Sequence, residues 1–271
     1  MKPELNKDTR LCISLAARPS NFGTRFHNHL YAELGLDFVY KAFTTTDIVA
    51  AIGGVRALGI RGCSVSMPFK EEVIALVDEL DESATAIQSV NTIVNDDGHL
   101  RAANTDYIAI AQLIAEHSLD PSTPLLLRGS GGMAKAVAAA FRDAGFSNGT
   151  IIARNAQKGR ALAAEVGFSW VPEQADLRAP LLVNVTPLGM VGDTADVLSF
   201  TTQSVAEAQT VFDVVAVPER TPLIAAATEA GIAVITGADV IALQAAEQFA
   251  LYTGVRPTRA QVRAASTVAR R

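Results

Sequence analysis

Gly129-Ser130-Gly131-Gly132-Met133-Ala134 has the spacing G-x-G-x-x-A. An apolar run, Leu125-Leu126-Leu127-Arg128, leads into it, and Lys135 and an Ala-rich stretch follow. Strand, glycine loop and helix in that order make a dinucleotide fingerprint. Gly129 permits the tight turn, Gly131 lets the backbone approach a pyrophosphate, and Ala134 allows close helix–strand packing. The helix N-terminus offers free N–H groups to phosphates, with Ser130, Gly132 and Met133 in the same cradle. The next apolar run, Thr150-Ile151-Ile152-Ala153, ends in Arg154-Asn155-Ala156-Gln157-Lys158. An acid that would hold a ribose 2′-hydroxyl is missing there, and Arg154 and Lys158 suit a 2′-phosphate. NADP is favoured over NAD. The competing reading is a ligand-free glycine turn followed by two ordinary surface charges; the order of strand, loop, helix and second strand argues against it.

Hydride exchange at an alcohol needs a group that takes the hydroxyl proton and returns it. His27, His29, His99 and His117 lie in no distinctive setting. Lys70 follows Cys63-Ser64-Val65-Ser66-Met67-Pro68-Phe69, a strand that stops at a proline. At the start of a helix over 70–80, the helix dipole and partial burial would lower its pKa. Residue chemistry alone favours a solvated lysine beside Glu71 and Glu72, since lysines are mostly exposed. Likewise Asn104-Thr105-Asp106 and Ser89-Val90-Asn91-Thr92 place polar groups at strand ends, where helix capping accounts for them.

The elements that must position these groups alternate. Residues 11–15, 38–43, 62–65 and 92–95 read as strands, and 26–34, 46–58 and 70–80 have helical spacing. Asn95-Asp96-Asp97-Gly98 is a hairpin signal with 101–103 returning. From Asp106 a helical stretch runs to about 119. Apolar runs at 125–127, 150–153, 181–185, 211–215 and 232–236 then repeat with the rhythm of a doubly wound parallel sheet. Residues 238–252 are helical and would cross back to the first domain. The expected fold is α/β: an N-terminal domain over 1–105 completed by 238–271, a Rossmann-type domain over 106–237, and a ligand cleft between them.

Composition agrees with a compact soluble chain. It has 271 residues and a net charge of −5, which argues against nucleic acid or an anionic membrane as partner. Cys12 and Cys63 sit in apolar, strand-like segments and read as buried free thiols in a reducing cytoplasm. The polar start, Met-Lys-Pro-Glu-Leu-Asn-Lys-Asp, has no apolar signal core. No apolar run approaches the ~18 residues of a membrane span.

The sequence resembles the shikimate dehydrogenase family over nearly its whole length. The matching stretches are Val65-Ser66-Met67-Pro68-Phe69-Lys70, Ser89-Val90-Asn91-Thr92, Asn104-Thr105-Asp106, the glycine loop, Asn184-Val185-Thr186-Pro187-Leu188-Gly189-Met190, Val211-Phe212-Asp213-Val214-Val215 and Gln244-Ala245-Ala246-Glu247. The resemblance implies an NADP-dependent dehydrogenase acting on a cyclic hydroxy acid, in the shikimate pathway of aromatic amino acid biosynthesis. It implies Lys70 and Asp106 as the catalytic pair and Asn91 and Gln244 as ligands of ring hydroxyls. Ser66 stands where the family has a substrate-contacting Thr, and Ser64 replaces a nearby Asn. Thr186 and Met190 line the nicotinamide side, and Gly237 lies by the nicotinamide. Arg154 and Lys158 match the family's basic pair, with Ala153 and Asn155 in place of the usual Asn and Thr. No metal is implied.

Two departures bear on the substrate. The family's Ser-x-Ser-Pro carboxylate site reads here Ser20-Asn21-Phe22-Gly23-Thr24, leaving Ser20 and Thr24 as hydroxyl donors in a rearranged pocket. Ala216 stands where a Tyr is usual. Both point to the shikimate 5-dehydrogenase-like branch. Quinate or aminoshikimate as substrate stays open, as does an NADPH-binding regulatory protein with vestigial catalysis. Monomer and homodimer are equally compatible.

Overall fold

The apolar runs bounded by turn residues form the strands of two separate sheets. A computed structural model describes residues 4–271; Met1-Lys2-Pro3, the head of the polar opening stretch, lies outside the described residues. The chain divides into two compact units, Met1–Thr105 with Ala242–Arg271, and Asp106–Ile241. No described helix is long and apolar enough to cross a membrane.

The first unit begins with β1 (Arg10–Ala16), α1 (Phe22–Leu34), β2 (Phe38–Thr44), α2 (Ile48–Ala57) and β3 (Gly62–Val65). It continues with β4 (Glu79–Leu80), α3 (Glu82–Thr85), β5 (Thr92–Asp96) and β6 (His99–Ala103). The sheet order is β2-β1-β3-β5-β6-β4. β1 runs parallel to β2 and β3, and β5 is antiparallel to β3 and β6. Asp97 and Gly98 turn the β5–β6 hairpin with positive φ at both positions, the conformation a tight two-residue turn requires. One face of the sheet packs on Ile48, Ile52 and Val55 of α2.

The expected helix over 70–80 does not form. Residues around Lys70 make a turn, followed by a 3-10 helix over Glu72–Leu76. The cause is a competing hydrogen bond. The Lys70 carbonyl accepts from Val90 N–H at 2.8 Å, so Ile74 N–H turns instead to the Glu71 carbonyl at 3.3 Å. Lys70 is therefore not at the start of an α-helix, and the expected dipole effect on it has no basis.

The second unit holds α4 (Thr105–Glu116), β7 (Leu125–Arg128), α5 (Gly132–Asp143), β8 (Gly149–Ile152), α6 (Ala156–Val166) and β9 (Ser169–Val171). β10 (Leu181–Asn184), α7 (Thr202–Glu207), β11 (Thr210–Asp213), α8 (Pro222–Glu229) and β12 (Ala233–Thr236) complete it. All its strands are parallel, in the order β12-β11-β10-β7-β8-β9. That is the doubly wound sheet its rhythm predicts. Phe200, Val205 and Leu223 cover one face over Leu126, Ile152 and Leu182.

The chain returns through α9 (Gly237–Thr253) and ends in α10 (Arg259–Ala269). Phe249 and Tyr252 of α9 and Val262 and Ala265 of α10 meet Phe26, Leu30 and Tyr31 of α1 over the second face of the first sheet. A Cβ on Gly62 would collide with the Tyr252 ring, so that glycine admits close packing of α9. Thr258 and Gln261 form a reciprocal capping box that starts α10.

Candidate active site

The dinucleotide signal lies at the C-terminal ends of β7 and β8. Gly129 N–H donates to the Ile152 carbonyl at 2.9 Å, which turns the chain sharply out of β7. Gly129 has φ +132°, and a Cβ there would meet Val185 Cγ2 at 2.7 Å and its carbonyl oxygen at 3.0 Å. Only glycine fits. Gly131, the N-cap of α5, and Gly132 differ: a Cβ on either would meet nothing within 4 Å. Their backbone faces open space at a helix N-terminus, which is the cradle a pyrophosphate needs. Ser130 and Met133 are half-buried, and Ala134 is fully buried where α5 packs on the sheet. Arg154 and Lys158 are exposed just beyond β8, with Asn155 between them capping α6 through Lys158 N–H at 2.9 Å. The residues present fit a phosphorylated dinucleotide.

The loop after β10 is held by a buried network. Asn184 Oδ1 accepts from Thr186 N–H at 3.1 Å and the Thr186 hydroxyl at 2.6 Å. Asn184 Nδ2 donates to Asp213 Oδ1 at 2.9 Å. Asp213 also accepts from Val215 N–H at 3.1 Å and the Thr221 hydroxyl at 2.6 Å. Burial raises the Asp213 pKa against the pull of these donors. Met190, after a turn at Gly189, is exposed. Gly237 packs so tightly on the Val214–Val215 backbone that a Cβ would overlap it. Its glycine thus has a packing reason of its own.

In the first unit the polar strand ends do more than cap. Asn91 is 2% exposed. Its Oδ1 accepts from the Thr92 hydroxyl at 2.8 Å, Thr105 N–H at 2.8 Å and the Thr105 hydroxyl at 3.1 Å. The oxygen is saturated, so the amide cannot flip, and Nδ2 is buried with no partner among the described residues. A buried donor left open in this way is uncommon in a folded protein. Val65 N–H donates to the Asn91 carbonyl at 2.9 Å, and Val90 N–H to the Lys70 carbonyl, so the backbones of Lys70 and Asn91 are brought together. Lys70 is half-buried, Ser66 exposed, and Gln244 half-buried on α9. Ser20 is exposed and accepts from Phe22 N–H at 3.4 Å. Thr24 lies inside α1, its hydroxyl buried and without a partner among the described residues. Asp106, 7% exposed, opens the second unit in the first turn of α4.

Gln248 was not singled out by its type or spacing. It is buried one turn beyond Gln244, and its Nε2 reaches Thr92 Oγ1 at 3.0 Å, Ser64 Oγ at 3.2 Å and the Asn91 carbonyl at 3.3 Å. Its only sequence signal is helical spacing from Gln244. None of the histidines has the setting of a proton-transfer group. His27 is fully buried among aromatic rings and its pKa is pulled down to about 3 by that burial. His29 pairs with Glu33, His99 with Glu79, and His117 is exposed.

The chain is similar to known proteins along its length. A family model described as the shikimate dehydrogenase substrate binding domain matches residues 22–93. A shikimate dehydrogenase-like protein of Haemophilus influenzae is 54% identical over 267 residues, covering 98% of each chain. The solved structure of a shikimate 5-dehydrogenase-like protein matches at TM-score 0.97 and 54% identity, over 99% of this chain and 100% of that one. A shikimate 5-dehydrogenase from Thermus thermophilus, in complex with NADP(H) and shikimate, matches at TM-score 0.86 and 28% identity, over 96% and 99% of the two chains.

Proposed function

Because the chain belongs to the shikimate dehydrogenase family, we propose that it is an NADP-dependent oxidoreductase acting on CH–OH, interconverting a cyclic polyhydroxy acid and its ketone. The observation that carries the substrate class is Asn91, a buried amide with a saturated oxygen and an open N–H aimed at no protein group. Such a donor recognises a hydroxyl, and a site built this way rejects analogues that lack one.

Each residue then has a task. The open backbone at Gly131 and Gly132 takes the pyrophosphate, and Arg154 and Lys158 take the 2′-phosphate. NADP, when bound, supplies or accepts the hydride. Lys70 takes the proton from the ring hydroxyl in oxidation and returns it in reduction, and Asp106 orients that hydroxyl. Asn91 and Gln244 fix neighbouring ring hydroxyls, with Ser66 beside them. Ser20 and Thr24 receive the substrate carboxylate. Thr186, Met190 and Gly237 line the nicotinamide side.

Ala216, half-buried where the family has Tyr, supports a second reading in which the ring acid is quinate or an amino-substituted shikimate. Steady-state rates on shikimate, quinate and aminoshikimate, each with NADP and with NAD, decide among these. Turnover of at least one ring acid, faster with NADP, is expected. Tight cofactor binding with no turnover on any of them would overturn the enzyme assignment in favour of a regulatory NADPH-binding protein. The same assay on a protein recovered from the cytoplasm as monomer or homodimer would settle the assembly that acts.

A further inference from the structure

The end of β7 carries a cation that the glycine loop itself does not need. Arg128 immediately precedes Gly129, on the sheet face that carries Leu126 and Ile152. It is half-buried. Its guanidinium carbon lies 5.3 Å from the centre of the Phe200 ring, its Nη2 donates to Gln174 Oε1 at 3.0 Å, and its Nε is buried without a partner among the described residues. Gln174 is not free to swing away. Its Nε2 donates to Ser204 Oγ at 2.5 Å and the Leu177 carbonyl at 3.1 Å, and its Oε1 also accepts from Thr201 N–H at 3.2 Å.

Among the described residues no carboxylate pairs with Arg128. The charge it feels is another cation: burial first, and Arg154 second, lower its pKa. A guanidinium stays protonated under such pressure, so the arrangement costs free energy. Leu126, Ile152 and Phe200 around it would accept an apolar side chain without that cost. Two like charges at the ends of adjacent parallel strands, with no acid between them and one N–H left open, form a site for a dianion.

We propose that Arg128 is a specificity residue for the cofactor, forming with Arg154 and Lys158 a three-cation cradle for the 2′-phosphate of adenosine. This rests on the NADP reading above. Arg128 supplies the rigid part, because Gln174 and Phe200 hold its guanidinium in place before any ligand arrives. Arg154 and Lys158 supply exposed charge beyond the end of β8.

The test is calorimetric titration of the full chain with 2′,5′-ADP and with 5′-AMP, for the native protein and for Arg128→Leu, Arg128→Gln, Arg128→Lys and Arg154→Ala. The native protein should prefer 2′,5′-ADP. Arg128→Leu and Arg128→Gln should each weaken 2′,5′-ADP by about tenfold or more, the loss of one charge-assisted contact, and leave 5′-AMP unchanged. Arg128→Lys should recover part of the loss. A native-like preference in both neutral variants, or equal weakening of both ligands, would overturn the proposal, the latter marking a purely structural arginine. A native protein that does not distinguish the two nucleotides would overturn the NADP reading itself, and a loss in Arg154→Ala alone would leave that reading intact while removing Arg128 from it.

Discussion

The amide of Gln248 donates to the Thr92 hydroxyl at 3.0 Å, joining positions 156 residues apart. Thr92 passes the contact on, donating to Asn91 Oδ1 at 2.8 Å. A helix that returns from the far end of the chain thereby fixes the side chain we propose as a ligand of the ring acid. The hydroxyl between them accepts and donates at once, and no apolar isostere can do either.

Thr92→Val tests that chain of contacts. The substitution keeps the shape of a fully buried residue and removes these two hydrogen bonds together with the hydroxyl contact to Thr105 at 3.2 Å. Asn91 Oδ1 keeps its two bonds from Thr105 but loses the one that ties it to α9. The loss should be about 1–3 kcal/mol, or roughly tenfold or more in kcat/KM for the ring acid. NADPH affinity, measured by fluorescence quenching, should stay as it was. An equal loss in both would show a general loss of stability instead.

Lys70→Ala separates proton transfer from binding. Loss of the group that takes the hydroxyl proton should lower kcat by about 10²-fold or more. NADPH titration should be native-like, since no atom of Lys70 belongs to the cofactor loop. Turnover that survives the change would remove Lys70 from the mechanism. Lys70→Arg, which keeps the charge but cannot give up its proton near neutral pH, should be as inactive as the alanine variant.

How far these residues could be read from sequence follows from how local their signals are. The glycine loop is legible because strand, loop and helix follow one another directly along the chain, and because Gly129 turns there at φ +132°, a conformation that belongs to glycine. The parallel sheet is legible because each strand is a short apolar run between breakers. The helix expected over 70–80 is not a failure of spacing. It yields to Val90, twenty residues on, which takes the Lys70 carbonyl. The contact between Gln248 and Thr92 is invisible for the same reason at longer range. Arg128 reads as the last residue of a strand until Phe200 and Gln174 are folded around it. From chemistry alone Lys70 and Asp106 look like a surface lysine and a cap, and the family resemblance is what singles them out.

The two kinds of glycine in the loop predict opposite phenotypes. Gly129→Ala places a methyl group against Val185 at a φ that L residues avoid, and should lower stability by more than about 1 kcal/mol. Gly131→Ala meets no protein atom and should leave the urea midpoint near the native value. Its methyl group enters the space the phosphates need, so NADPH affinity should fall. Denaturation curves and cofactor titrations on both variants check this. A Gly131→Ala protein that binds NADPH normally would take the pyrophosphate off that segment.

His27 should make the protein sensitive to mild acid. Its ring lies parallel to Tyr40, with centroids 4.4 Å apart, and Phe249 and Tyr252 close the cage. Among the described residues neither ring nitrogen makes a hydrogen bond of good geometry, and burial, only partly offset by Gln248, lowers the pKa to about 3 from an ordinary value of 6.5. In the unfolded chain the ring takes up a proton as pH falls through 6.5; in the folded chain it stays neutral until about 3. Between those values the unfolded state binds more protons, so stability falls with decreasing pH. The slope attributable to this one group approaches about 1.4 kcal/mol per pH unit. Urea denaturation between pH 7.5 and pH 5, a window above the range where carboxylates dominate, should show the decline in the native protein. His27→Phe, which keeps the stacked ring and removes the titrating group, should flatten it; an undiminished slope in that variant would assign the acid sensitivity to other groups.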